Sequence, residues 1–119
     1  MAVLRVSIEQ QDAQLRISRG PQDGWLAISG EIDSWNVQSV RDALTAAHGE
    51  AGNLHLDVRR LLFCDVSGIR AIVAAAANLE DGRQLFLHGL DPQLQKVFQV
   101  VGWAGMPSLV IDAVGMDLG

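Results

Sequence analysis

The sequence predicts an α/β fold: one mixed β-sheet with an N-terminal antiparallel hairpin and helices packed on the sheet. Three observations carry this. Up to Ile32 the chain alternates apolar and polar side chains with a period of two, as half-buried strands do. From Trp35 onward, stretches with helical spacing take turns with short apolar runs. Each helical stretch opens on a short polar capping residue and has a glycine at or just beyond its end. At 119 residues the chain is read as a single domain, 1–119.

The elements follow in order. "VLRVSIEQ" and "AQLRISRG" both alternate as strands. "GPQDG", residues 20–24, is a turn by composition and leads into the strand "WLAISGEI", with Trp25, Ala27 and Ile28 as its apolar positions. "QLRIS" and "WLAIS" therefore form a hairpin. Val37, Val40, Leu44 and Ala47 then fall at helical spacing, with Asp33 or Ser34 as N-cap and Gly49 as the stop. "NLHLDV" reads as a buried strand through Leu54, Leu56 and Val58, and "LLFCDV" continues apolar after it. Ile69, Ile72, Val73, Ala76 and Leu79 mark a second helix, N-capped by Asp65 and followed by Gly82. The alanines at 74–77 suit a close approach of this helix to the sheet. "RQLFLHGL" is a third buried strand. Asp91-Pro92 opens a third helix with a capping carboxylate and a proline at the first helical position. Leu94, Val97, Phe98 and Val101 form its apolar stripe, Gly102 ends it, and "SLVID" is a last short strand. In the order β-β-β-α-β-α-β-α-β, strand–helix–strand units demand parallel pairing, while the initial hairpin must be antiparallel.

Composition narrows the function. Apolar residues make up 49% of the chain and charged residues 19%, with a net charge of −5. That is enough for a core, and the acidic balance argues against nucleic acid as partner, which needs a basic face. The single cysteine permits no internal disulfide, and the three histidines are scattered without metal-ligand spacing. No apolar stretch approaches the roughly 20 residues of a membrane helix. The expectation is a cytoplasmic protein with no cofactor and no membrane partner.

Chemistry concentrates in "FCDVSGIRAI", residues 63–72, where a strand turns into a helix. Such corners carry the ligand sites of open α/β sheets. A hydrolase elbow needs G-x-S-x-G, and "CDVSGIR" lacks the first glycine; a phosphate loop needs several glycines and a lysine. Cys64 reads as a small buried hydrophobe. Asp65 caps the free N–H groups of the helix, and Ser67 is a second capping group or a modifiable hydroxyl. A flat corner of small residues around Gly68 suits the docking of another protein.

In this order, "GEID" (30–33), "LDV" (56–58), Asp65-x-Ser67-Gly68 at the head of a helix and "GW" after the third helix resemble the STAS domain of bacterial anti-sigma-factor antagonists. The resemblance spans about residues 13–111. It implies a non-enzymatic signalling protein that binds an anti-sigma factor or similar kinase-like regulator and thereby affects transcription. It also implies a switch, in which the partner phosphorylates the residue directly after the motif aspartate. Here that residue is Val66, which has no hydroxyl; Ser67 stands one step further on, about 100° round the helix. The expected partner-binding residues are Asp33, Ser34, Trp35, Asp65, Val66, Ser67 and Gly68, with Trp35 as anchor or, alternatively, as a core residue beneath the first helix. The first strand covers the sheet edge or serves self-association as a homodimer. A second reading is a small-ligand or nucleotide-sensing STAS module using the same corner.

Overall fold

Strands and helices form in the expected order, with one strand more. The computed structural model of the chain describes residues 8–11, 14–20, 22–49, 52–101 and 106–113. Its elements are β1 (Ile8–Gln11), β2 (Leu15–Arg19), β3 (Trp25–Ile32), α1 (Val37–His48), β4 (Leu54–Asp57), β5 (Leu61–Cys64), α2 (Val66–Ala77), β6 (Leu85–Leu90), α3 (Pro92–Val101) and β7 (Leu109–Ala113). The expected start of the first strand before Ile8, the stop at Gly102 and the "GW" step lie outside the described residues.

The sheet runs β1-β2-β3-β4-β6-β7, with β5 also paired to β3. The pairs β1–β2 and β2–β3 are antiparallel; β3–β4, β3–β5, β4–β6 and β6–β7 are parallel. The added strand arises because "LHLDVRRLLFC" is broken by a turn at Arg59-Arg60. β3 is long enough to serve both pieces: Trp25–Ala27 pair with β4, and Gly30–Ile32 with β5. The changeover is at Gly30, whose φ is +95°. Its N–H donates to Arg60 O (3.1 Å), while Glu31 N–H donates back to Gln14 O (2.8 Å). A Cβ there would fall onto the Gln14 carbonyl oxygen, so both the backbone conformation and the close approach require glycine.

One face of the sheet is covered. Leu15, Ile17, Leu26, Ile28, Leu54, Leu56, Leu85 and Leu87 are buried in one cluster with Val40 and Leu44 of α1, Ile69 and Ile72 of α2 and Phe98 of α3. The alternate residues, from Arg16 and Ser18 through Ala27 and His55 to Phe86 and His88, are half-buried or exposed. This corrects the strand reading of "WLAIS": Leu26 and Ile28 face the core, and Trp25 and Ala27 face the open side. Period two admits Ile28 or Trp25 and Ala27 on one face, not all three.

The helices keep their expected registers. Ile69 and Ile72 are fully buried, Val73 and Leu79 pack partly buried against the core, and Arg70 and Asn78 are exposed. α2 ends at Ala77, with Asn78 as C-cap, so Leu79 lies just beyond the helix. The alanine run serves a different contact from the one expected. Ala76 faces the core, but Ala74 and Ala75, with Ala71, line a groove between α1 and α2 opposite Leu44 and Thr45. Small side chains here let helix approach helix rather than helix approach sheet.

Candidate functional site

β3 and β5 are adjacent and parallel, so the loops after them leave the sheet side by side. Asp65 N–H, at the end of β5, donates to Ile32 O at the end of β3 (3.1 Å). The site is built from these two loops.

In the first loop, Asp33 caps a turn, not the helix. Its Oδ1 accepts from the N–H groups of Trp35 (2.9 Å) and Asn36 (3.1 Å). α1 begins a turn later, with Asn36 as its N-cap residue and no side-chain cap; Val37 N–H bonds Asp33 O. Neither Asp33 nor Ser34 is therefore the N-cap, because a separate turn precedes the helix. Asn36 carries a role the sequence reading missed. It is the one buried polar side chain among the described residues; its Oδ1 accepts from Asp33 N–H (2.9 Å) and its Nδ2 donates to Glu31 O (3.0 Å). These bonds fix the loop and hold Trp35 outward, 94% exposed. Trp35 is thus not a core residue.

In the second loop, Asp65 is the N-cap of α2, as expected. Its Oδ1 accepts from Gly68 N–H (3.2 Å) and from Ser67 Oγ–H (2.5 Å). The Ser67 hydroxyl is the largest influence holding its carboxyl below the ordinary carboxylate range; burial opposes it, and the backbone N–H groups of Gly68, Ser67 and Ser34 add to it. The Ser34 contribution ties the two loops together. Cys64 is buried, and burial, then the Asp65 charge, pushes its thiol up to about 12, so it is no nucleophile at neutral pH. Gly68, expected at the docking surface, is instead buried; a Cβ there would meet Cys64 Sγ at 2.6 Å and Ile32 Cγ2 at 2.7 Å. It lets α2 close onto β3 and β5.

Beside the exposed Ser34, much of what faces outward is apolar. Val66, on the first turn of α2, is 45% exposed, and β5 delivers two side chains of the run expected only to continue apolar: Leu62 (78%) and Phe63 (47%). The signal for these two was available only weakly. Four consecutive apolar residues cannot all be buried by a strand that has one neighbour, and β5 pairs only with β3 among the described residues.

The histidines stand apart from the corner. His48 ends α1 and its Nε2 contacts Asn78 O (3.2 Å). His55 and His88 meet on the open face of the sheet, Nδ1 to Nε2 at 2.9 Å. Among the described residues no group of three or more His, Cys, Asp or Glu could hold a metal ion, and no helix is long and apolar enough to cross a membrane.

With this geometry in place the class of protein is defined: a mixed sheet with helices on one face and a capped strand-to-helix corner beside a second loop. A family model described as "Mlab, STAS domain" matches residues 15–111, and the chain belongs to the STAS domain family. Three solved structures share the fold. An anti-sigma factor antagonist from Mycobacterium paratuberculosis is 19% identical, with a TM-score of 0.68, over 85% of this chain and 89% of that one. A chain in the structure of the Bacillus cell fate determinant SpoIIAA in the phosphorylated form is 23% identical, TM-score 0.60, over 83% and 91%. A chain in the complex of the diguanylate cyclase SiaD with its activator SiaC from Pseudomonas aeruginosa is 22% identical, TM-score 0.59, over 90% and 98%. No curated protein matches the sequence.

Proposed function

We propose that this STAS domain is a non-enzymatic protein-interaction module of bacterial signalling, docking an anti-sigma factor or kinase-like regulator on the surface formed by Trp35, Val66, Leu62 and Phe63. Asp33, Ser34, Asp65 and Ser67 form its polar surround. The observation that carries this is Trp35. A tryptophan 94% exposed on a loop fixed by four side-chain hydrogen bonds of Asp33 and Asn36 keeps a large apolar surface in water with little freedom to turn inward. Such rigid aromatic anchors dominate interface energetics. The fold-mates described as an anti-sigma factor antagonist and as part of an activator–cyclase complex favour a regulatory partner. A catalytic reading finds little support, since the Ser67 hydroxyl is bound to a carboxylate and Cys64 is buried.

The test is affinity capture from the native cell with the wild-type chain, Trp35→Ala and Val66→Asp as baits. One protein of regulator type retained by the wild type and lost by both variants, all with the same circular dichroism, is the expected result. Equal retention by all three baits places the interface elsewhere.

A further inference from the structure

The open face of the sheet carries a trough that the corner does not use. In-register parallel pairing sets Trp25 beside His55 and His55 beside Phe86. Adjacent strands lie about 4.8 Å apart, the spacing at which flat rings stack across them. The Trp25–His55 and His55–Phe86 centroids are 4.3 Å and 5.1 Å apart, with planes within 6° and 8°. His88 extends the layer, its ring 5.2 Å from that of His55 with the nitrogens 2.9 Å apart. Centroids that far apart at so short an N···N distance put the two rings end to end. They share one hydrogen and do not converge on a metal, whose two ligands would meet it at an angle. Burial, then the neighbouring His88, lowers the pKa of His55 and favours its neutral form. The pair is thus a rigid backing for one face of the Trp25 indole.

Among the described residues, no side chain covers the other flank of Trp25. Its neighbour across the hairpin is Gly20, which donates N–H to Trp25 O (2.9 Å) and has no side chain to cover the ring. A depression of about 440 Å³ lies here, bordered by Gly20, Gln22 and Trp25 and floored by Ala27. Ala27 and Asp57 also line a second depression of about 560 Å³, walled by Arg16, Ser18, Ser29 and Arg60. The two share Ala27 and Asp57 as common lining. The chain has nine Lys and Arg residues and a net charge of −5, yet Arg16, Arg59 and Arg60 all line this second part. Among the described residues the one carboxylate there is Asp57, which is bound by Arg59 through Nε (3.0 Å) and Nη2 (2.7 Å). Arg16 and Arg60 have no side-chain hydrogen bond or ion pair among the described residues.

We propose that this trough binds a planar aromatic anion. The ring stacks on the open face of Trp25 above Gly20, and a phosphate or carboxylate reaches Arg16 and Arg60 across Ala27. Ala27 lies two residues, about 7 Å, along the strand from Trp25, and Arg16 is paired with Ser29 beyond it, so the ligand carries its charge at least about 7 Å from its ring. Stacking on a preformed aromatic wall and charge-assisted bonds to guanidinium groups supply recognition at the two ends.

The experiment is a ¹H–¹⁵N titration of the full chain with adenosine 5′-monophosphate, flavin mononucleotide and indole-3-butyrate at millimolar concentration. Adenosine and riboflavin lack the anion, and inorganic phosphate lacks the ring. Expected are shifts of the Trp25 indole N–H and of the Arg16 and Arg60 amides with at least one ring–anion probe; phosphate against carboxylate probes identify the source. Ala27→Leu, which fills the floor from the open side, and Arg16→Glu with Arg60→Glu each weaken that binding about tenfold or more with unchanged circular dichroism. The proposal fails if no ring–anion probe shifts these signals, if the uncharged rings or free phosphate bind as well, if the variants bind as the wild type does, or if the shifts centre on residues 62–68. Only the last of these results touches the corner; the others leave partner docking there untested.

Discussion

Replacing Gly68 by alanine separates packing from docking at the corner. In an exposed helix the change stabilises by about 1 kcal/mol, because alanine is the better helix former. Here the new Cβ would lie 2.6 Å from Cys64 Sγ and 2.7 Å from Ile32 Cγ2, about 1 Å inside ordinary contact distance. Ile32 is fully buried and Cys64 nearly so, and neither can swing into solvent. Overpacking of this kind costs about 1–3 kcal/mol, and two simultaneous overlaps put it at the upper end. Net of helix propensity, the variant loses about 2 kcal/mol, a fall in Tm of roughly 8 °C for a chain of this size. Thermal and urea unfolding measure it. A double-mutant cycle with Cys64→Ala sharpens the test: removing the sulfur relieves the shorter overlap, so the two changes together cost at least about 0.5 kcal/mol less than their sum. A Gly68→Ala variant as stable as the wild type, or strict additivity, refutes the packing argument. For the same reason a large residue such as tryptophan at 68 unfolds the domain and cannot report on partner binding.

Ile72→Asp puts an unpaired charge at a fully buried position and unfolds the domain in circular dichroism, while Arg70→Glu on the exposed side melts like the wild type; equal melting of the two would mean the α2 register is wrong. Asn36→Ala strands Asp33 N–H and Glu31 O and costs about 1–3 kcal/mol in urea unfolding, whereas Trp35→Ala changes stability by less than about 0.5 kcal/mol. The unfolded chain takes up a proton at His55 near its ordinary value of 6.5, the folded chain only at lower pH. Stability therefore falls as pH drops below 6.5, and His55→Gln removes that part of the dependence; Asp57 and Asp65, with folded values below the ordinary 3.8, add a second loss in stronger acid. Incubation with a partner kinase and ATP leaves the wild-type mass unchanged, and Val66→Ser creates an acceptor; a phosphate mapped to Ser67 in the wild type would overturn this.

The elements legible in the sequence are those whose signals are local. Asp65 and Asp91 cap the helices they were expected to cap, and Ile69 and Ile72 bury as helical spacing requires. What stayed hidden depends on partners distant in sequence. Trp25 sits on the open face because His55 and Phe86 complete its stack, and nothing within the hairpin reveals them. The break between β4 and β5 depends on β3 changing partners at Gly30, so "LLFC" reads only as an apolar continuation, with no sign that two of its side chains face solvent. Ala74 and Ala75 were assigned to the sheet because the position of α1 beside them is a tertiary fact. At the corner, sequence supplied the residues but could not tell Gly68, which packs, from Val66, which is presented.

That distinction bears on how the corner works without its usual hydroxyl. Ser67 donates to Asp65 at 2.5 Å, and this bond is the largest influence holding the Asp65 carboxyl ionised. Phosphorylating Ser67 would remove the donor and set about −1.5 to −2 charges against that carboxylate, loosening the cap of α2. Val66 has the opposite situation. It is exposed, lies outside the capping hydrogen bonds, and can change chemistry without disturbing them. A modifiable residue at 66 would switch the surface and spare the fold; a modified 67 would strain the fold to switch the surface. With valine at 66 the corner presents an apolar side chain at its accessible position, and Leu62, Phe63 and Trp35 are exposed as well. On the docking proposed above, such a surface stays in its binding form, and control of the complex would fall to the partner.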